Sequence, residues 1–330
     1  MIFSNEQLAG QRLMVGFEGT QLDHDLMYLI DTIKAGGLIL FSKNLSTPAQ
    51  IKALCSDAQE YAFSCGQPPL FISIDQEGGE VARLKEPFTR LPGNPAMKGE
   101  KDAKQFATVT ANELTRIGVN MNLAPVMDVV PKGSQSVMAG RVFGHDPAWV
   151  SKMGVHIIKH LQQNGIMAVS KHFPGIGRVI LDPHHEISVI HTKLHDFESF
   201  DLLPFESSIK HNVTGIMLSH ILYRGIDPDW PASLSILIAK NLLRNRMGFQ
   251  GLVITDDMDM GAIKKNYDTN TIVKQFLAAD IDILLICHKG PDIVNAYVEI
   301  LKSIVNSQIL KKKGIESLNR IIKAKKKYIL

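Results

Sequence analysis

Eight short apolar runs, each followed by a stretch with helical spacing, constrain this chain more than any other feature. They are Leu13 to Phe17, Gly37 to Phe41, Leu70 to Asp75, Val119 to Val126, Ile166 to His172, Gly215 to His220, Gly251 to Asp256 and Ile281 to Cys287. They are rich in Ile, Val and Leu and do not alternate with polar residues. Continuous runs of this kind fit strands buried on both faces, as in a parallel sheet. The segments between them carry helix punctuation. Thr47-Pro48-Ala49-Gln50 supplies a capping Thr, a Pro at the first helical position and a Gln three residues after the cap, and Ile51, Leu54, Cys55 and Ala58 follow at helical spacing. Asp146-Pro147 opens another helix with the stripe Val150, Met153, Ile157, Ile158 and Leu161, closed by Asn164-Gly165. Further stripes are Phe106, Val109, Leu114 and Ile117, then Ile315, Leu318, Ile321 and Ile322.

Eight strands alternating with helices predict an α/β fold, a TIM (β/α)8 barrel, as a single domain over residues 1–330. A doubly wound open sheet is the alternative, but the Gly-rich phosphate fingerprint of its dinucleotide-binding forms is missing. One stretch breaks the rhythm. Pro174 to Thr192 is long, polar and His-rich, and it follows the fifth run directly. Long loops in compact domains are usually functional or disordered.

Composition excludes several function classes. The net charge is only +3 and no basic run interleaves with aromatics, so a nucleic-acid partner is not expected. Lys311 to Lys313 and Lys323 to Lys327 read as a solvated helix face. Three cysteines, Cys55, Cys65 and Cys287, without a CxxC argue against a disulfide framework or a Cys-based zinc site. No apolar stretch approaches a membrane span, and the first residues lack the pattern of an export signal. The expectation is a soluble cytoplasmic monomer with no membrane partner.

In a barrel, reactive groups sit where strands end and the following loops begin. Here those ends are unusually polar: Ile74-Asp75-Gln76-Glu77-Gly78-Gly79, Asn122 to Asp128, Ser170-Lys171-His172-Phe173-Pro174-Gly175, Ser219-His220 and Thr255-Asp256-Asp257. A lone Asp at a strand end is usually a helix cap. Five such ends delivering Asp, Lys and His to one rim are hard to attribute to capping. Carboxylates with Lys and His suit a polyhydroxylated substrate, whose hydroxyls bond to both. Glycoside cleavage needs an anion below the anomeric carbon and a proton donor at the leaving oxygen. Asp257 serves as well as Asp256 on composition, and nothing in the spacing picks between them.

These motifs resemble family 3 glycoside hydrolases, and within them the single-domain NagZ-type β-N-acetylglucosaminidases. The resemblance runs from the second strand to the eighth. It is carried by Gly36 to Phe41, Ile74 to Gly79 with Arg83, Leu123 to Asp128, Gly140-Arg141-Val142-Phe143-Gly144, Lys171 to Gly175 and Ile254 to Met258. It implies that Asp256 is the nucleophile and that Asp75, Arg83, Arg141, Lys171 and His172 hold the sugar and its N-acetyl group. It implies further that Asp182 and His184 form an acid/base dyad in a retaining mechanism. The substrate it implies is a small glycoside or muropeptide from cell-wall recycling, with no cofactor and no metal.

An imidazole titrates near neutrality and suits proton donation followed by recovery, and a carboxylate on its second nitrogen fixes the tautomer. The family loop usually reads Lys-His-Phe-Pro-Gly-His-Gly-Asp-Thr and then Asp-Ser-His. Here Ile176 replaces the second His, Arg178-Val179 replaces Asp-Thr, and Pro183 sits inside the dyad. The spacing from Lys171 to Asp182 and His184 is unchanged.

Plainer readings compete at several positions. Glu77 reads as a helix-start charge or a site residue, Asp128 as a structural carboxylate holding a neighbouring Arg or loop, and His220 as a direct or indirect member of the site. Trp149 and Trp230 read as packing groups before sugar platforms. Competing functions are a related β-glycosidase or phosphorylase, a sugar-binding homologue without catalysis, and a metal hydrolase using His172, Asp182, His184 and His185. The last lacks an HxH strand motif, and two adjacent histidines rarely face one ion.

Overall fold

The computed structural model describes residues 3–180 and 187–330. Asp182, His184 and His185 lie outside the described residues. Eight parallel strands form one sheet: β1 Leu13–Val15, β2 Gly37–Leu40, β3 Phe71–Ile74, β4 Met121–Asn122, β5 Met167–Phe173, β6 Gly215–Leu218, β7 Leu252–Thr255 and β8 Leu284–Ile286. Each pairs with its neighbour in sequence, and β1 pairs with β8 at Leu13↔Leu284, Met14↔Leu285 and Val15↔Ile286. The last seam, between β7 and β8, is a bridge at Ile254↔Ile283 with Thr255 N–H donating to Ile283 O at 3.0 Å. The sheet therefore closes on itself, and all eight expected runs supply its strands.

Every residue of β1, β2, β3, β6, β7 and β8 is buried. Barrel side chains face either the interior or the surrounding helices, which is why these strands read as unbroken apolar runs. The helix punctuation holds as well. Thr47 Oγ1 accepts the Gln50 N–H at 3.2 Å, although the Gln50 side chain reaches Ser46 N–H, one residue further back than a capping box requires. Asp146 caps Pro147–Gln163, and Val150, Met153, Ile157, Ile158 and Leu161 are all buried under it.

Two strand limits differ from the sequence expectation. The run Val119 to Val126 is ladder-paired strand only over Met121–Asn122. Pro125 has no N–H to give, and the Asn122 side chain takes over, accepting from Gln76 N–H and donating to Gln76 O, both at 3.0 Å. Two small sheets were not foreseen: Gln76–Gly78 with Val81–Ala82, and Val189–Lys193 with Leu222–Gly225.

The N-terminal mouth of the barrel is sealed. Arg12, just before β1, donates to Ile281 O at 2.6 Å, and Lys325 of the last helix donates to Gln11 Oε1 at 2.7 Å and Gly36 O at 2.8 Å. Arg244, Arg320, Asp280 and Asp282 form an ion cluster at the same end. The C-terminal mouth stays open. Among the described residues no helix is long and apolar enough to cross a membrane.

Candidate active site

The strand ends at the open mouth surround a cavity of about 540 Å³, within the usual size range of small-ligand sites. Asp75, Arg83, Arg141, Lys171, His172 and Asp256 all line it. These six residues come from three strand ends and two adjoining loops. The geometric requirement set by the sequence, that they share one hollow, is met.

One side of the cavity is a charge network. Asp75 extends β3, and Lys171 lies in β5. The Lys171 ammonium lies 2.7 Å from Asp75 Oδ1 and 2.7 Å from Glu77 Oε1. Arg83 lies 3.2 Å from Asp75 Oδ2. Arg141 grips Glu77 with two prongs, Nε at 3.0 Å and Nη2 at 2.7 Å. Burial alone would raise the Asp75 carboxyl, but Lys171 and Arg83 outweigh it and bring it to about 2. Glu77 is likewise opposed by burial and held low by Lys171 and Arg141. Burial works against the Lys171 cation, yet Asp75 and Glu77 raise its pKa above the usual lysine value. All of these groups are charged at neutral pH, and their donors are fixed in direction before any ligand arrives.

Glu77 therefore corrects one expectation. It starts no helix. It lies in the short hairpin that follows β3, is 3% exposed, and serves Lys171 and Arg141 together. The signal available in the sequence was its place two residues after Asp75 within one motif.

His172 is oriented from behind. Its Nδ1 lies 2.9 Å from Asp128 Oδ2, and Asp128 also accepts the Ile176 N–H at 2.8 Å. An ionised carboxylate only accepts, so this contact is one in which the His172 Nδ1–H donates to Asp128. Asp128 is fully buried and structural, as read from sequence, holding a loop and a ring. The Lys171–His172 and Phe173–Pro174 peptide bonds are both cis.

Asp256 stands at the end of β7. Its Oδ1 accepts the Asp257 N–H at 2.8 Å, and no ion pair among the described residues ties it up. Burial pushes its carboxyl up, but His220, His172, the Asp257 N–H and Lys171 together hold it below the ordinary aspartate value. It is an ionised, uncommitted carboxylate facing a cavity. Asp257 differs. Its Oδ1 accepts the N–H groups of Asp259 and Cys287, both at 3.0 Å, so it secures a turn, and burial raises its pKa. That contrast separates two residues which composition left equal.

His220 does not line the cavity. It bonds Ser233 Oγ and Asp257 O, each at 2.7 Å. Trp230 packs against Tyr267 with ring centroids 5.4 Å apart, and Trp149 packs against the core, so neither is a sugar platform in this cavity. Sequence reading did not anticipate Met138, Met217, Cys287 or His288 in the lining. Single Met, Cys and His residues carry no positional signal of their own. Ile176, noted for replacing a histidine, does line it.

Comparison with known proteins agrees with this geometry. The chain is 35% identical over 289 residues to a β-hexosaminidase of Nitrosomonas eutropha, covering 85% of this chain and 81% of that protein. Its structure superposes on a glycoside hydrolase family 3 β-N-acetylglucosaminidase from a Paenibacillus species with a TM-score of 0.96 at 32% identity. That match covers 99% of this chain but spans only 63% of the other. NagZ from Neisseria gonorrhoeae, solved with N-trifluoroacetyl-D-glucosamine, matches with a TM-score of 0.76 at 26% identity, over 94% of this chain and 98% of that one. The sequence profile of the glycosyl hydrolase family 3 N-terminal domain matches residues 6–324, and the chain belongs to that family of glycoside hydrolases.

Proposed function

We propose that this protein is a retaining exo-β-N-acetylglucosaminidase, a single (β/α)8 domain that removes terminal β-linked N-acetylglucosamine through a covalent glycosyl–Asp256 intermediate. The observation that carries this reading is the cavity itself. One ionised carboxylate, without an ion pair among the described residues, shares a hollow of about 540 Å³ with a preorganised set of sugar-binding charges. The β-hexosaminidase relatives and the β-N-acetylglucosaminidase neighbours support the same substrate class.

In this mechanism Asp75, Arg83 and Lys171 bind the sugar hydroxyls, and Arg141 and His172 face the N-acetyl side. Holding the sugar in this way fixes the anomeric carbon over Asp256, which supplies proximity and orientation. Asp256 attacks that carbon as its bond to the leaving oxygen breaks, and the leaving oxygen takes the proton of His184. A water then gives its proton to His184 and attacks the anomeric carbon, releasing Asp256 and retaining the configuration. The pairing of Asp182 with His184 rests on the family resemblance, in which a carboxylate on the second imidazole nitrogen sets the tautomer. The dyad replaces the second carboxyl of most retaining glycosidases.

The muropeptide substrate, the role in cell-wall recycling, the cytoplasmic location and the monomeric state complete the proposal and rest on the family resemblance. The test is hydrolysis of an aryl β-N-acetylglucosaminide. Wild type is expected to turn over, and Asp256→Ala to lose at least about 10³-fold in kcat. An inactive wild type, or a fully active Asp256→Ala, would overturn the proposal. Added phosphate is expected to leave free N-acetylglucosamine as the product, and formation of a sugar phosphate would contradict hydrolysis.

A further inference from the structure

His220 ends the β6 run and is 2% exposed, yet it lies outside the cavity lining. Its two ring contacts determine its protonation. Nε2 lies 2.7 Å from the Asp257 carbonyl oxygen. A carbonyl only accepts, so Nε2 carries the proton. Nδ1 lies 2.7 Å from Ser233 Oγ, and in the neutral ring that nitrogen accepts from the hydroxyl. Burial pulls the His220 pKa below the ordinary value. Asp256 and Asp257 act to raise it, and His172 acts with burial.

The partner on the far side is held firmly. Ser233 is fully buried, and its N–H donates to Ser219 O at 2.9 Å. The loop that carries it is tied by Asp227, which accepts from Ser235 Oγ at 2.6 Å, Asp229 N–H at 3.0 Å and Trp230 N–H at 3.2 Å. On the near side, the carbonyl that His220 grips belongs to the residue that follows Asp256. The N–H of that same residue donates to Asp256 Oδ1 at 2.8 Å. Asp256 N–H in turn donates to Leu218 O at 3.0 Å, two residues before His220. One residue, Asp257, is thus held through its carbonyl by an imidazole and holds the Asp256 carboxylate through its N–H.

We propose that His220, oriented by Ser233, is a positioning residue for Asp256: its Nε2–H fixes the Asp256–Asp257 turn and so aims the carboxylate at the anomeric carbon. Among the described residues, Asp75, Arg83, Arg141 and Lys171 make no hydrogen bond to this chain of bonds; Lys171 and His172 act on Asp256, and His172 on His220, only through their charge. His220 therefore acts on the chemical step and not on sugar affinity. The inference rests on the reading of Asp256 as nucleophile.

The experiment compares His220→Ala, His220→Gln and Ser233→Ala on the aryl β-N-acetylglucosaminide, with folding checked by circular dichroism. Displacing a reacting group by about 1 Å costs on the order of 100-fold. His220→Ala is expected to lower kcat by about that factor while KM stays within about threefold. The Gln amide N–H reaches the place of Nε2–H, so His220→Gln should recover to within about tenfold of wild type. Ser233→Ala should fall between wild type and His220→Ala, with a loss of about fivefold.

The inference is overturned if His220→Ala keeps kcat within about threefold, if KM rises while kcat is kept, or if Gln does no better than Ala. Nitrogen-15 NMR of the wild-type imidazole needs neither a variant nor a substrate. At pH 7 it should show Nε2 protonated and Nδ1 bare, and the opposite tautomer or a doubly protonated ring would also overturn the inference. A wild type inactive on the aryl glycoside would refute the substrate reading, and the tautomer measurement would still decide this one.

Discussion

Asp75 and Glu77 both lean on the Lys171 ammonium at 2.7 Å; the Glu77 and Lys171 side chains are buried, and Asp75 keeps 14% of its side chain exposed at the cavity. Removing one partner from a buried ion network leaves charge uncompensated. Lys171→Met should therefore lower stability by about 3 kcal/mol in urea unfolding, as well as impair sugar binding. A loss below about 1 kcal/mol would contradict the network. The pH dependence has two parts of opposite sign. Asp75 falls from 3.8 to about 2 on folding, so its contribution, about 2 kcal/mol, is present above pH 4 and lost as pH falls through 2. Asp201 goes the other way. Burial lifts it to about 6, with Arg178 at 2.9 Å only partly opposing. Its folded form favours the proton, so stability is lost as pH rises from 3.8 through 6. Asp201→Asn should add about 2 kcal/mol at pH 7 and nothing at pH 4. Unfolding free energies at the two pH values check this, and an equal change at both would contradict it.

At the scale of elements, the loop that leaves β5 is where close approach matters most. A Cβ on Gly177 would stand 1.9 Å from the Val129 carbonyl oxygen, which no side-chain rearrangement can relieve. Gly177→Ala should displace the segment leading toward Asp182 and His184. It should cost about 2 kcal/mol of stability together with a loss of activity larger than that stability loss explains. Wild-type turnover in that variant would show that the segment does not govern the chemistry. The elements also mark what the sequence could express. The eight strands were legible because burial on both faces writes continuous Ile, Val and Leu. The helices were legible because Thr47 and Asp146 announce them and their apolar stripes follow. Val189–Lys193 and Leu222–Gly225 were not, because they are short, largely exposed and paired only through tertiary context. Glu77 and His220 were half legible. Their motifs placed them at the correct rim, but which group each one serves depends on Arg141, Lys171 and Asp257 arriving from elsewhere in the chain.

At the scale of the whole molecule, closure of the barrel brings distant strand ends together at one mouth. Gly16 and Cys287, from opposite ends of the sequence, approach so closely that a Cβ on Gly16 would lie 1.9 Å from Cys287 O. That seam sets Cys287 beside the β1 end, its N–H donating to Asp257 Oδ1 at 3.0 Å, in the same cavity as Asp256, Asp75 and Lys171. Sealing the other mouth with Arg12 and Lys325 leaves the C-terminal mouth for chemistry, the division of labour expected of this architecture. We propose that this mouth places one nucleophile, Asp256, under the anomeric carbon of a bound sugar. The most direct test is trapping with a 5-fluoro glycosyl donor followed by peptide mapping. A single label is expected on the carboxylate of Asp256, abolished in Asp256→Ala. A label on Asp257, or turnover of the donor with no covalent adduct at any carboxylate, would contradict it.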